Sequence, residues 1–287
     1  MSAPTSARID SIRQRLLNIA RQNGEEFQLT LDRYAVERLL YRLSISPYRD
    51  DFVLKGALLF RHWLDQSHRP TRDADFLGFG TPDPGRIATV VQALCQADVD
   101  DGLVFDLSRL SVDAIRETAR YDGLRVQLRA WLGTATCVIQ WDIGFGDAIT
   151  PEPEEVRFDT MLEDVPSPVL RIYPRETAFA EKLEAIVVLG MGNSRMKDYF
   201  DLLSLIREAR MAPTSLTQAI TATFARRATP LPAELPIGLT ATFALDKTKR
   251  LQWRAFLDRS RLEAPALEET VAEIAAVVSR VLEEARR

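Results

Sequence analysis

Two aspartates, two residues apart, begin a short apolar run and constrain the fold more than any other feature. The run Asp73-Ala74-Asp75-Phe76-Leu77 is typical of a β-strand. Side chains two apart in a strand point to the same side, so both carboxylates would lie on one face of a sheet. Like charges held that close repel unless a cation lies between them, and Mg²⁺ bound by carboxylates and substrate phosphates is the usual resolution. The pair therefore suggests phosphoryl or nucleotidyl transfer.

The composition restricts the chemistry to carboxylates and cations. The chain of 287 residues is 46% hydrophobic, which is enough for a substantial core. Two cysteines, Cys95 and Cys137, lack the spacing of a zinc site, and two histidines leave little room for histidine-based catalysis. We expect a cytoplasmic protein, because the chain has no signal-peptide core and no apolar run of roughly 20 residues.

Hydrophobic periodicity predicts an α+β fold. Thr30 is expected to cap the second helix, and the third is expected to begin at Lys55-Gly56. The segments would be N-terminal helices over 1–50, a core over 51–200 and a helical C-terminal domain over 201–287. Helices are predicted over residues 8–20, 30–43, 55–65, 87–97, 176–189, 197–207 and 268–287, and strands over 73–77, 103–107, 123–128, 137–143 and 170–172.

A third carboxylate, Asp142, follows an apolar β-branched run and would stand at the end of a buried strand. Three carboxylates on two strands are what two metal ions need for an in-line displacement at a nucleotide phosphate. Backbone N–H groups at a helix start near Lys55-Gly56 would favour phosphate. The plainer alternative is that Asp73 and Asp75 are exposed strand residues and that Asp142 lies in a turn.

Several short motifs, in one order, resemble those of a known family. The order, over about residues 52–202, is similar to that of the AbiEii/AbiGii nucleotidyltransferase toxin family, which includes the MenT toxins. The resemblance implies a DNA polymerase β-like nucleotidyltransferase core. The motifs are Leu54-Lys55-Gly56, Arg69-x-Thr71-x-Asp73-x-Asp75-Phe76, Gln140-Trp141-Asp142-Ile143-Gly144, the block 176–185 around Lys182, and the block 193–202 around Lys197-Asp198.

The resemblance also implies residue roles. Asp73 and Asp75 would bind the Mg²⁺ ions of a two-metal site, with Asp142 as the third carboxylate. Lys182 would contact the nucleotide. Without the flanking motif, Lys182 would be a surface lysine in a Glu–Lys helix pair. Gly56 is followed by Ala57, so a side-chain hydroxyl that the family commonly has there is absent. The implied nucleotide-binding residues are Lys55, Gly56, Arg69, Thr71, Lys182 and Asp198, and Asp198 could either orient Lys182 or cap its helix.

A basic segment lies beyond Leu202. Between Leu205 and Arg254 basic residues outnumber acidic ones, although the whole chain carries a formal net charge of −4. Such a surface can bind a polyanion, but charge runs are more often solvated helix faces. Four aromatic residues in this part of the chain, Phe224, Phe243, Trp253 and Phe256, could stack on bases or belong to a core. The predicted RNA-binding residues are Arg226, Arg227, Lys247, Lys249 and Arg250.

The expected function is an Mg²⁺-dependent nucleotidyltransferase toxin of a toxin–antitoxin system, of the kind that serves abortive infection in phage defence. It would transfer NMP from an NTP to an acceptor, the 3′ end of tRNA, and so inhibit translation. One alternative is modification of a protein hydroxyl, and another is a non-catalytic module that binds a nucleotide or an antitoxin. The expected partners are NTP, tRNA or another RNA acceptor, and a cognate antitoxin. No association with a membrane is expected.

Overall fold

The structure, a computed structural model, describes residues 6–64, 71–118 and 121–286. Two compact units are built from alternating stretches of chain, so neither unit is one continuous segment. The first contains the described parts of Met1–Leu58, Thr71–Gly146 and Glu155–Ile172, and the second contains those of Leu59–Pro70, Asp147–Glu154 and Tyr173–Arg287. No helix in the described part of the chain combines the length and apolarity that crossing a bilayer requires.

A seven-stranded mixed sheet runs in the order β3-β4-β5-β2-β1-β7-β6. β1 pairs antiparallel with β2 and parallel with β7, while β2 pairs parallel with β5. β4 lies antiparallel to both β3 and β5. The strands are β1 Phe52–Lys55, β2 Ala74–Gly78, β3 Leu103–Thr118, β4 Tyr121–Leu132, β5 Ala135–Phe145, β6 Glu154–Arg157 and β7 Val169–Ile172.

Around β5 the sheet buries one face and leaves the other more exposed, whereas all four residues of β1 are buried. Cys137, Ile139 and Trp141 are buried, whereas Val138 is exposed and Gln140 is half-buried between them. Because side chains alternate between faces, this pattern assigns the odd-numbered residues to the core and the even-numbered ones to the open face. The helices of the first unit are α1 Ser6–Asn23, α2 Phe27–Ser44 and α4 Pro84–Cys95.

The second unit is helical. α5 packs against α6 and α7, and α10 packs against α6 and α7 through an apolar stripe that includes Val271, Ile274 and Val278. This stripe recurs every three to four residues, as expected for an amphipathic helix. The helices are α3 Phe60–Trp63, α5 Arg175–Leu189, α6 Met196–Glu208, α7 Pro213–Arg226, α8 Ala241–Ala244, α9 Lys247–Ser260 and α10 Leu267–Ala285.

The α+β class is confirmed, and two local predictions are wrong. Thr30 does not cap α2, because the helix begins three residues earlier and Thr30 is buried within it. Lys55 ends a strand instead of starting a helix, since Gly56 has a φ of +78° that a helix cannot continue through. Helix-like structure resumes only as a 3₁₀ turn at Ala57–Leu59 followed by the short α3.

Candidate active site

Four charged residues form a row across the open face of the sheet. The strand register pairs Lys55 of β1 with Asp75 of β2, Asp75 with Asp142 of β5, and Asp142 with Arg125 of β4. Directly paired residues on neighbouring strands share a face, so the four side chains lie side by side. We call Lys55, Asp75, Asp142 and Arg125 the charge row; its two carboxylates lie inside and its two cations lie at the ends.

Arg125 holds Asp142 through both oxygens of the carboxylate. Nε donates to Oδ1 at 2.8 Å and Nη2 donates to Oδ2 at 2.7 Å, which is the bidentate geometry of strong Arg–carboxylate pairs. The Asp142 side chain is 13% exposed. These hydrogen bonds raise the pKa of Arg125 against the effect of burial, and the negative charges of Asp142, Asp73 and Asp75 raise it further. Sequence reasoning missed Arg125, although a charged residue in an apolar strand was a usable signal.

Gly56 makes room for the carboxylate of Asp75. A Cβ atom at position 56 would lie 2.0 Å from Oδ2 of Asp75, which is far inside van der Waals contact. The φ of +78° at Gly56 is also a conformation that side chains with a Cβ rarely adopt. Both facts require glycine here, and they give a physical reason for the Lys55-Gly56 motif that differs from phosphate binding at a helix start.

Asp73 lies two residues before Asp75, just ahead of β2. Thr71 donates from Oγ1 to the carbonyl oxygen of Asp73 at 3.3 Å, so Thr71 supports the backbone at this aspartate. Asp73 also borders a cavity of about 370 Å³ together with Arg72 and Gln140. The predicted nucleotide contact Arg69 lies outside the described residues.

The donor set suits a hard divalent cation. Asp73 and Asp75 offer carboxylate oxygens, and such oxygens are what Mg²⁺ prefers. The space left by the missing Cβ of Gly56 accommodates the Asp75 carboxylate. Asp142 is engaged by Arg125, and no three acidic, histidine or cysteine side chains of the described ranges form a metal-binding group. The chemistry of Asp73 and Asp75, with Asp142 in register beside Asp75, fits such an ion.

Lys182 of α5 lies in the interior of the second unit, where it contacts two buried aspartates of α6. Its Nζ donates to Asp198 Oδ1 at 3.2 Å and to Asp201 Oδ2 at 2.7 Å. The Lys182 side chain is 15% exposed and both aspartates are 0% exposed. The surface Glu–Lys pair considered for Lys182 is therefore wrong. Asp198 orients the lysine and does not cap α6, and Asp201, one helical turn further along the same face, was missed.

The predicted RNA-binding residues fall into two groups. Arg226 and Lys247 are exposed, and Arg250 is half-buried and pairs with Glu268. Arg227 contacts Asp147, Glu181 and Glu184 at 3.0, 3.3 and 3.1 Å, with 11% of its side chain exposed, and Lys249 Nζ donates to the carbonyl of Asn193 at 2.9 Å. Arg227 and Lys249 thus serve internal contacts. Of the four aromatics, Phe224, Phe243 and Trp253 are core residues and Phe256 is half-buried.

The chain matches the family model described as nucleotidyl transferase AbiEii toxin, type IV TA system, over residues 38–277. The crystal structure of JHP933 from Helicobacter pylori is similar in fold, with a TM-score of 0.50 and 16% identity over 91% of this chain and 94% of that one. A second Helicobacter pylori structure, of a candidate nucleotidyltransferase, has a TM-score of 0.47 and 16% identity over 89% and 95% of the two chains. No curated protein matches. The chain belongs to the AbiEii family of nucleotidyltransferase toxins of toxin–antitoxin systems.

Proposed function

We propose that this nucleotidyltransferase moves NMP from an NTP to the 3′ end of tRNA in the cytoplasm, and that the added nucleotide blocks aminoacylation. The observation that carries the proposal is the register of Asp75 against Asp142 on neighbouring strands, with Asp73 two residues before Asp75. This arrangement places carboxylates from two strands on one open face. It suits a reaction at a metal-bound phosphate, because carboxylate oxygens gathered on one face can bind a hard divalent cation.

Asp73 and Asp75 would hold Mg²⁺, with Asp142 as the third carboxylate. The ion, when bound, supplies charge neutralisation at the reacting phosphate. Asp142 would accept the proton of the acceptor hydroxyl, whose oxygen then bonds to the α-phosphorus while the bond to the β-phosphate breaks and pyrophosphate leaves. Arg125 fixes the orientation of Asp142 through its two hydrogen bonds.

Lys182 is proposed to contact the triphosphate, where an ammonium group would neutralise charge on the departing pyrophosphate. Asp198 and Asp201 would position this group, because the two buried carboxylates hold the Nζ atom through hydrogen bonds. Lys55, at the other end of the charge row, is buried and paired in register with Asp75. We propose that it offsets the negative charge of the row, while Gly56 and Thr71 shape the nucleotide side of Asp73 and Asp75.

RNA as acceptor is supported by the exposed cations of the second unit, which include Arg226 and Lys247. The contacts of Arg227 and Lys249 reduce this support, because those two charges are used within the protein. That observation keeps a protein hydroxyl as the second candidate acceptor. The two acceptors differ in salt dependence, since binding through RNA phosphates weakens steeply as salt rises.

The test is incubation of the purified protein with Mg²⁺, each α-labelled NTP in turn, and a total RNA pool with protein present. We expect label in small RNA, absent with the Asp73→Ala variant and retained with Asp10→Ala, an exposed aspartate on α1. Label confined to protein bands would move the acceptor to a protein hydroxyl. Label that persists in Asp73→Ala would overturn the assignment of the carboxylates.

A further inference from the structure

A cation-lined cavity lies between the start of α6 and the last turns of α9, within the second unit. Its volume is about 450 Å³, and Arg195, Lys197 and Arg259 line it. No carboxylate is among the described residues that line this cavity. We call it the α6–α9 cavity. A concave surface with three cations and no lining acid attracts anions.

The remaining lining residues add features that suit a nucleotide better than a bare anion. Phe256 is half-buried and borders the cavity, and Ser194 and Ser260 also line it. Guanidinium groups bind phosphate through parallel N–H donors, and serine hydroxyls can add further hydrogen bonds. An aromatic ring beside such cations offers a surface on which a base can stack. The lining therefore matches one phosphate with an adjacent base.

A stripe of cations on α9 lies on the side of the helix opposite the cavity. Lys247, Arg250 and Arg254 follow one another along α9 at spacings of three and four residues, so they lie on one side of the helix. Gln252, Phe256 and Arg259, which line the cavity, lie on the opposite side of the same helix, because they are rotated from the stripe by about half a turn. The stripe is therefore not part of the cavity, and the choice of RNA over a free nucleotide rests on the acceptor of the proposed function.

The cavity is connected by contacts to Lys182. Arg195 Nε lies 2.7 Å from Oδ2 of Asp198, an ion pair without hydrogen-bond alignment, and the other oxygen of Asp198 accepts from Lys182. One buried carboxylate is therefore shared between a cavity residue and the lysine. An anion that draws Arg195 toward the cavity would weaken its pair with Asp198 and leave that carboxylate more fully to Lys182.

We propose that the α6–α9 cavity binds a backbone phosphate of the single-stranded end of the RNA acceptor, with Phe256 stacking on the adjacent base. This inference rests on the proposed function, because it supplies a binding site for the acceptor of that reaction. It adds Arg195, Lys197 and Arg259 to the residues that contact RNA. None of these three belongs to the cations that the sequence singled out for RNA.

The test measures binding, so that it does not depend on catalysis. A fluorescein-labelled single-stranded RNA of about ten nucleotides is titrated with wild-type protein, Lys197→Gln, Arg259→Gln and the double variant, and anisotropy is followed over a series of salt concentrations. Arg280→Gln is the matched control, since Arg280 is an exposed arginine on α10 outside the cavity. NTP binding is measured in parallel by calorimetry, and thermal melting checks that each variant is folded.

We expect each single substitution to weaken RNA binding by about threefold to tenfold and to reduce the slope of log K against log salt by about 0.7. RNA binding by Arg280→Gln should stay at the wild-type value. NTP binding should stay at the wild-type value in every variant. Wild-type RNA affinity and salt slope in the double variant would overturn the proposal. So would a loss of NTP binding with unchanged RNA binding, which would make the cavity a nucleotide site.

The design separates this inference from the proposed function. If wild-type protein binds RNA and the variants bind it equally well, only the cavity assignment fails. If wild-type protein binds no RNA at all, the RNA acceptor itself fails and the cavity assignment falls with it. Loss of transfer in Asp73→Ala with unchanged RNA affinity would report on the carboxylates alone.

Discussion

Arg125 and Asp142 face each other on neighbouring strands and share two hydrogen bonds, of 2.8 and 2.7 Å. Asp142 is also paired in register with Asp75, so the arginine offsets repulsion between two adjacent carboxylates. The pair gives Asp142 one fixed orientation on the open face of the sheet. Catalytic groups depend on such orientation, because a displacement of about 1 Å can reduce a rate by about a hundredfold.

Arg125→Gln should therefore lower kcat by at least about tenfold and leave KM for NTP nearly unchanged, because the residue acts through Asp142 and not on the nucleotide. Arg125→Lys should recover part of the loss, since it keeps the charge but not the bidentate geometry. Arg129→Gln is the matched control, four residues along the same strand and exposed. Steady-state kinetics check these values, and an unchanged kcat in Arg125→Gln would remove the positioning role.

Gly56→Ala should abolish transfer, because the new Cβ would overlap Oδ2 of Asp75 and force the carboxylate to move. Gly24→Ala is a close control: its φ is +62°, yet a Cβ there would meet no atom within 4 Å. Both variants should lose about 1–2 kcal/mol of stability to backbone strain. Only Gly56→Ala should also lose activity. Chemical denaturation and the transfer assay measure the two effects, and active Gly56→Ala would contradict the role given to Asp75.

Lys182→Met should unfold at markedly lower denaturant, with a loss of about 3–5 kcal/mol, because it leaves two buried aspartates without this partner. The triple variant Lys182→Met/Asp198→Asn/Asp201→Asn should recover much of that stability, since the two buried negative charges are removed together with the lysine. It should still fail to transfer nucleotides. Recovery of both stability and transfer would show that Lys182 has only a structural role.

Arg226 and Arg227 are neighbours in sequence and should respond differently to the same change. Burial alone would lower the pKa of Arg227, but the charges of Glu181 and Asp147 and the contacts with Glu184 raise it above its ordinary value. Arg227→Gln should cost about 3–5 kcal/mol, because the carboxylates lose their buried cation. Arg226→Gln should change stability by less than about 0.5 kcal/mol, as is usual for exposed positions. Equal melting curves for the two variants would contradict this difference.

The sequence predicts local features of this site better than features that depend on strand pairing. The alternation of Asp73 and Asp75 is local, whereas the register of Asp142 against Asp75 depends on the order of strands in the sheet. Arg125 was missed for the same reason, because its partner is set by the pairing of β4 with β5. In the sequence Arg227 stands beside another arginine and looks like a surface residue. Its burial depends on ion pairs with Asp147 and the α5 glutamates, which are far away in the sequence.

The most direct test of the account compares α-labelled with γ-labelled NTP in the presence of tRNA, for wild-type protein and Asp75→Asn. We predict that the α-label becomes covalently attached to tRNA while the γ-label leaves as pyrophosphate, and that Asp75→Asn attaches neither although it remains folded. Attachment of the γ-label, or undiminished attachment of the α-label by Asp75→Asn, would contradict nucleotidyl transfer at the charge row.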